Sequence, residues 1–375
     1  MSRISKLGLA FAAGLLTLAP DGLSAQETDT NPDNTPYGTT SAEFLLFGAG
    51  ARGTALGDAF AAIATDITSL YYNPGAAALI AGPGATVSTY DYVAETRYSW
   101  GGIAFPFSGG ARTFGLQIGT FGFDNQPVTT VDQPEGTGAV YSVSQTFAGA
   151  TFAQNFSDRF AAGVTAKFIF DQLGNVDGSA FAVDFGTTFH AQLSNHPISL
   201  AFVVSNLGTD LSYAGDALDV TVPRTPADPT VDPPPELPQP AEIKTKGFAL
   251  PTVFRVALAY DLMTGETNRL TLLSDFNQAN NNRAGFAGGG EWALNRLGGS
   301  NFGVALRGSY TYQPANNIDV DETQTALNDE ENLHGLAFGG GLNYSTTDFR
   351  LGVDYAYRYL GVLGATNFFT LSVGW

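Results

Sequence analysis

Three histidines, His190, His196 and His334, are the side chains of this 375-residue chain best suited to proton transfer near neutral pH. A hydrolase of the Ser–His–acid type needs a serine and a carboxylate converging on one imidazole. No serine is convincingly placed beside any of the three, so no catalytic residue is assigned and the chain is read as no enzyme. The absence of cysteine removes thiolate metal sites, cysteine nucleophiles and disulfides together. Gly48, Gly50 and Gly53 spell a G-x-G-x-x-G. No βαβ pattern follows it, and no acidic residue closes a second strand at the required distance, so it is not read as a dinucleotide fingerprint. The plainer reading is tight turning of a crowded backbone. No cofactor and no metal site are expected.

What remains is charge in unusual places. Arg52 and Asp66 stand in a stretch of alanine and glycine, Phe44–Leu79, that carries few other charges. Asp184, Arg255, Asp275, Glu291, Arg307, Arg350 and Asp354 fall on the polar parity of alternating runs. A charge inside a membrane protein must be paired or wet. These residues are therefore expected to be partners of Arg52 and Asp66. Asn73-Pro74 is expected to fix the end of the same stretch, since Asn closes turns and Pro fixes φ.

The elements that must position these charges are strands. Only 14% of residues are charged, against about 25% in soluble domains. Mean hydropathy is +0.01, and no apolar run long enough for a membrane helix follows the N-terminus. From residue 83 onward, fourteen runs alternate apolar with small or polar residues. They span about 84–93, 96–106, 111–124, 138–156, 158–172, 178–193, 196–211, 251–263, 267–277, 283–296, 300–312, 334–345, 348–360 and 366–375. In the thirteenth, Phe349, Leu351, Val353, Tyr355, Tyr357 and Tyr359 share one face. Arg350, Gly352, Asp354, Ala356 and Arg358 share the other. That period-2 pattern suits a wall with lipid on one side and a lumen on the other.

The expected fold is all-β: a 14-stranded antiparallel transmembrane β-barrel with an N-terminal plug segment in the lumen. An even strand count suggests that both termini face the periplasm. Even-to-odd connections are short and the long ones, 125–137, 212–250 and 313–333, are all odd-to-even, which sets the long loops on the outside.

Residues 1–25 read as a secretory signal, with Arg3 and Lys6 before the apolar run Leu7–Leu18 and Leu23-Ser24-Ala25 as the cleavage site. Residues 26–42 read as a flexible leader, 43–82 as the plug and 83–375 as the barrel. Within the plug, Ala55–Ala64 is expected to be helical. Without the signal, 15 basic residues face 34 acidic ones, a net −19, which disfavours nucleic acid as a partner. The Pro-rich stretch 221–240 in the longest loop favours extended backbone, and reads either as a recognition arm or lid or as a tolerated surface insertion. The chain ends FFTLSVGW, an alternating strand closing on an aromatic.

The stretch Gly50-Ala51-Arg52, Ala55-Leu56-Gly57, Ala59-Phe60, Ala62, Ala64, Asp66, Ser69, Tyr71-Tyr72 and Asn73-Pro74 resembles the plug motif of the PorV/PorQ family, within the FadL-like outer-membrane β-barrel superfamily. Departures are Leu56 for Met, Thr65 for Asp, Tyr72 for Trp and Gly75-Ala76-Ala77 for Ala-Gly-Leu. The resemblance implies an outer-membrane location, lipid as surroundings, and Arg52, Gly57, Asp66, Asn73 and Pro74 as plug residues. A PorV-like role implies a partner of type IX protein secretion that binds secreted proteins and a large translocon subunit. The alternative is a FadL-like transporter of hydrophobic small molecules, with the plug closing the lumen.

Overall fold

The computed structural model describes residue 36 and residues 38–222, 239–265, 267–313 and 335–375, with the backbone alone for Val362. The expected signal, most of the leader, the centre of the Pro-rich loop and His334 lie outside the described residues.

Seven strands precede the longest loop and seven follow it. They are β1 (Gly84–Asp91), β2 (Arg97–Phe107), β3 (Arg112–Pro127), β4 (Val140–Ser157), β5 (Phe160–Leu173), β6 (Val176–Leu193) and β7 (His196–Gly208), then β8 (Val253–Thr264), β9 (Asn268–Ala279), β10 (Gly285–Leu294), β11 (Phe302–Tyr312), β12 (Leu336–Ser345), β13 (Arg350–Tyr359) and β14 (Ala365–Gly374). Each pairs antiparallel with its sequence neighbours, and β1 pairs with β14 from Gly84↔Gly374 to Thr89↔Phe369, which closes the barrel. The fourteen-stranded wall is the one expected from the alternation.

The wall folds this way because each strand separates two solvents. Ile118, Phe168, Leu306 and Leu342 are large, apolar and each more than half exposed on the outer surface. Residues of the other parity, such as Thr165, Asp184, Glu291 and Arg307, are buried in the lumen. Closure leaves no unpaired edge, the condition for crossing lipid with strands. No described helix is long and apolar enough to cross a membrane.

Leu351 has the lipid-facing parity expected, but it is the second residue of β13 and so lies near the interface rather than the midplane. Leu306 sits centrally in β11. Leu306→Arg is expected to cost about 2–4 kcal/mol and Leu351→Arg about 0–1 kcal/mol, because the penalty for a cation falls with distance from the bilayer centre. Urea unfolding of the protein in liposomes checks this; equal costs would contradict the assigned depth. Gly352 faces the lumen, where a Cβ would meet Asn343 and Ser372 rather than the N-terminal segment.

Residues 43–79 run through the barrel. Phe44, Leu45, Ala55, Leu56, Phe60, Leu70 and Asn73 are all buried there. The helix expected over Ala55–Ala64 is instead Ala51–Ala55. It stops because Gly57 and Asp58 both take positive φ, 65° and 60°, which no right-handed helix continues. A second short helix, Ser69–Tyr72, ends at Asn73, and Pro74 opens a 3-10 turn to Leu79 as its first residue.

The first described residues lie at the end of the barrel that carries the long connections, away from the start of β1 and the end of β14. Ser41 N–H donates to Ala249 O at 3.0 Å, and Asn281 Nδ2 donates to Glu43 Oε1 at 2.6 Å. Both partners lie in long-side connections, so the first described residues sit at the outer mouth. An even strand count fixes where β1 begins and β14 ends. It says nothing of a segment that crosses the lumen before β1.

Candidate functional site

The inner segment touches two chemically different walls. On the side of β9–β13 the contacts are ionic. Glu291 of β10 accepts from Arg52 Nε at 2.8 Å and Nη2 at 2.9 Å, from Arg307 Nε at 2.8 Å and from Arg269 Nη2 at 3.1 Å. Arg52 Nη1 also donates to Asp66 Oδ2 at 2.8 Å, and its guanidinium lies 5.0 Å from the Phe60 ring centre. Arg307 Nη1 continues the chain to Asp354 Oδ1 at 2.6 Å. One buried carboxylate thus sits among three guanidinium groups, and the fork geometry of arginine lets Arg52 bind it twice.

A second cluster centres on Asp58. Its carboxylate accepts from Tyr72 OH at 2.9 Å and from Arg358 Nη1 at 2.8 Å, and its carbonyl accepts from Arg255 Nη1 at 2.9 Å. Arg255 Nε lies 3.6 Å from Asp275 Oδ1. Threonine and serine side chains extend the same seam: Ser309 Oγ donates to Ala55 O at 3.0 Å, and Thr311 Oγ1 to Gly57 O at 3.2 Å. A Cβ on Gly57 would crowd both side chains, so glycine serves close approach as well as positive φ there.

Across the lumen, the seat is tight rather than ionic. Asn73 Nδ2 donates to Ala61 O at 2.8 Å, Thr188 Oγ1 at 3.0 Å and Thr187 O at 3.2 Å, and its Oδ1 accepts from Gly75 N–H at 3.0 Å. The turn rests on Gly163 and Gly186, which face each other across β5 and β6. A Cβ on either would overlap the backbone or side chain of residues 73–75. Nearby, Lys167 Nζ pairs with Asp184 Oδ2 at 2.7 Å and donates to Asn206 Oδ1 at 2.8 Å, with both charged side chains buried.

At the outer mouth, Glu43 accepts from Thr40 and Asn281. Burial pushes its carboxyl above the usual range, and those two hydrogen bonds oppose the shift.

The expected partners therefore separate. Arg52, Asp66, Glu291, Arg307 and Asp354 form one cluster. Arg255 and Asp275 join a second around Asp58, and Asp184 pairs with Lys167 of the wall rather than with the inner segment. Arg350 is exposed at the start of β13 and forms no ion pair among the described residues. Its parity is right, but its height on the strand is wrong. Reading by parity missed Asp58, Lys167, Arg269 and Arg358; the last three stand in alternating runs where the same pattern would have found them.

His190 corrects the enzyme reading in one detail. Its Nδ1 lies 2.9 Å from Ser199 Oγ, a serine that the sequence alone did not place. The two face each other across β6 and β7. The imidazole Nε2 is buried without a partner among the described residues. A catalytic triad orients the ring by an acid on the far nitrogen, and no described acid takes that place. His196 Nδ1 contacts Asp261 O at 2.9 Å. The described residues contain no cluster of metal-ligating side chains.

No protein-family model matches the chain, and no curated protein matches it. Solved structures do. The toluene transporter TodX of Pseudomonas putida superposes with a TM-score of 0.50 at 12% identity, over 87% of this chain and 96% of that one. The toluene transporter TbuX of Ralstonia pickettii gives 0.50 at 12% identity, over 88% and 98%. A deletion mutant of TodX, titled a monoaromatic hydrocarbon channel, gives 0.51 at 11% identity, over 87% and 97%. This chain shares the barrel fold of these structures. At such identities the likeness is one of fold, and it does not reach the PorV/PorQ subfamily. The match covers nearly the whole length of each of these structures.

Proposed function

We propose that this FadL-like barrel passes hydrophobic small molecules across the outer membrane, with residues 43–82 as the gate. The observation that carries the reading is a cavity of ≈ 200 Å³ on the outer side of the inner segment. Leu45, Leu46, Tyr71, Tyr72 and Val253 give it apolar surface within a lining that is otherwise mostly polar, with Asp58, Lys167, Arg255 and Arg358 among its charges. A lumen lined by charge alone would have spoken against the reading.

The cavity also abuts an irregular part of the wall. The β6–β7 register shifts between Val183 and Phe185, and β7 pairs with β8 only as far as Ser205↔Val253. Asn206 takes φ 60° at that point, and Ser205, Asn206 and Val253 all line the cavity. A bulge weakens the ladder locally, so this is where an apolar solute would meet least resistance between lumen and bilayer. The ion pairs of Arg52 and Asp58 and the seat of Asn73 keep the gate closed at rest.

The solved structures that share the fold are titled as transporters or channels, which supports this reading more than a type IX secretion partner. The test is uptake of toluene by cells that make the chain in their outer membrane, against cells that do not. Faster toluene entry, with no change for a polar solute of similar size, is expected. Equal entry would sink the transport reading. Secreted proteins or a very large translocon subunit in a gentle native purification would return the account to secretion.

A further inference from the structure

A third part of the lumen wall, on β14 and β1–β3, is aromatic. Phe47, the residue after the Glu43–Leu46 turn, enters it with its ring centre 4.8 Å from that of Tyr92, 5.1 Å from Phe121 and 5.7 Å from Tyr98. Tyr90 backs the nest, 5.4 Å from Tyr98 and 3.8 Å from Phe368. The Phe121 and Tyr98 contacts with Phe47 are edge-to-face, at 78° and 81°, the arrangement that aromatic quadrupoles favour. Phe47, Tyr92 and Phe121 are only partly buried, and Tyr92 lies just beyond the outer end of β1, so the nest opens toward the outer mouth.

Two features distinguish this nest from ordinary core. First, the ring that fills it belongs to the inner segment, whereas the rings that form it belong to β1–β3, the β1–β2 connection and β14. Second, Tyr98 is fully buried, and its hydroxyl has no hydrogen-bond partner among the described residues. An enclosed hydroxyl without a partner costs stability and is seldom left so.

We propose that the nest is a binding site for monoaromatic compounds that carry a hydroxyl group, with Phe47 occupying it until such a ligand enters. A phenol offers a six-membered ring the size of the phenylalanine ring it replaces, and an oxygen that satisfies Tyr98. This deepens the transport reading and rests on it for biological purpose, but binding is measured separately from uptake. The site lies beside Leu45 and Leu46 of the cavity, so a ligand held there stands at the entrance of the proposed route.

The experiment uses the full chain, purified in detergent, with toluene and phenol as probes and thermal unfolding as readout. Phe47→Ala vacates the nest and is expected to melt higher with either probe. Phe47→Leu, which keeps more of the packing, should show the same in smaller degree. Phe338→Ala, on the lipid face, is the control for partitioning into micelles. Tyr98→Phe in the Phe47→Ala background should lower phenol affinity about fivefold relative to toluene, the worth of one net hydrogen bond. No probe-dependent rise beyond the control in either Phe47 variant would overturn the site. An unchanged phenol-to-toluene ratio on Tyr98→Phe would overturn the role given to the hydroxyl. Binding without faster uptake would leave the site standing and remove the transport reading; uptake without binding here would do the reverse.

Discussion

Glu291→Ala is expected to destabilise the folded protein by about 3–5 kcal/mol, because it strips the shared partner from a buried cluster of cations. Arg52, Arg269 and Arg307 all donate to this one carboxylate. Once it is gone, Arg52 retains Asp66 and Arg307 retains Asp354, but three guanidinium groups then face each other around an empty place. The loss should fall first on the inner segment, since Arg52 is its link to the β10 side of the wall. Limited proteolysis of the purified barrel reads this directly: cleavage within 43–79 should appear before the wall opens. Arg52→Ala added to Glu291→Ala should recover part of the loss, since one stranded charge is removed. Arg97→Ala is the control. Its pair with Asp91 is exposed on both sides, and an exposed pair adds little. If Glu291→Ala were as mild as Arg97→Ala, the cluster would not hold the segment.

Lys167→Met should be of similar size, about 3–5 kcal/mol, for the complementary reason. Asp184 is fully buried and would be left charged opposite an apolar side chain. It would keep the backbone N–H of Asn206 at 2.8 Å, which softens the loss without removing it. This pair belongs to the wall, so proteolysis within 43–79 should change little while the midpoint of urea unfolding falls. Lys167→Met combined with Asp184→Leu is expected to recover most of the stability, since a buried pair replaced by apolar residues is often neutral. No recovery in the double variant would mean that the pair fixes the β6–β7 bulge through Asn206 as well as balancing charge.

The wall was legible in the sequence because a strand between lipid and lumen must alternate, and the lipid side tolerates no charge. Phe302, Val304 and Leu306 against Ala305 and Arg307 is such a signal, and β11 follows it. Inward parity likewise gave Glu291, Arg307 and Asp354. What parity cannot supply is height along the barrel, which depends on register and strand tilt. Arg350 and Asp354 share a face, yet only Asp354 reaches the cluster. The inner segment was harder, because no period governs it. Its helix ended at Gly57-Asp58, where a non-glycine residue took a left-handed conformation that Asp tolerates better than most. Asp58 then became the centre of a cluster that no spacing announced. The aromatic nest was equally hidden, since Phe47, Tyr98 and Phe368 come from three distant parts of the chain.

The absence of native cysteine makes the gate testable by one reversible bond. A Cβ built on Gly57 would lie 3.3 Å from Ser309 Cβ, near the roughly 3.5–4.5 Å spanned by disulfides. The Gly57→Cys, Ser309→Cys double variant, made in cells and assayed for toluene entry, compares locked and free states of one molecule. The account predicts loss of entry when the bond forms and its return when the same variant is reduced. Equal entry in both states, with the bond verified, would contradict a gate made by the inner segment.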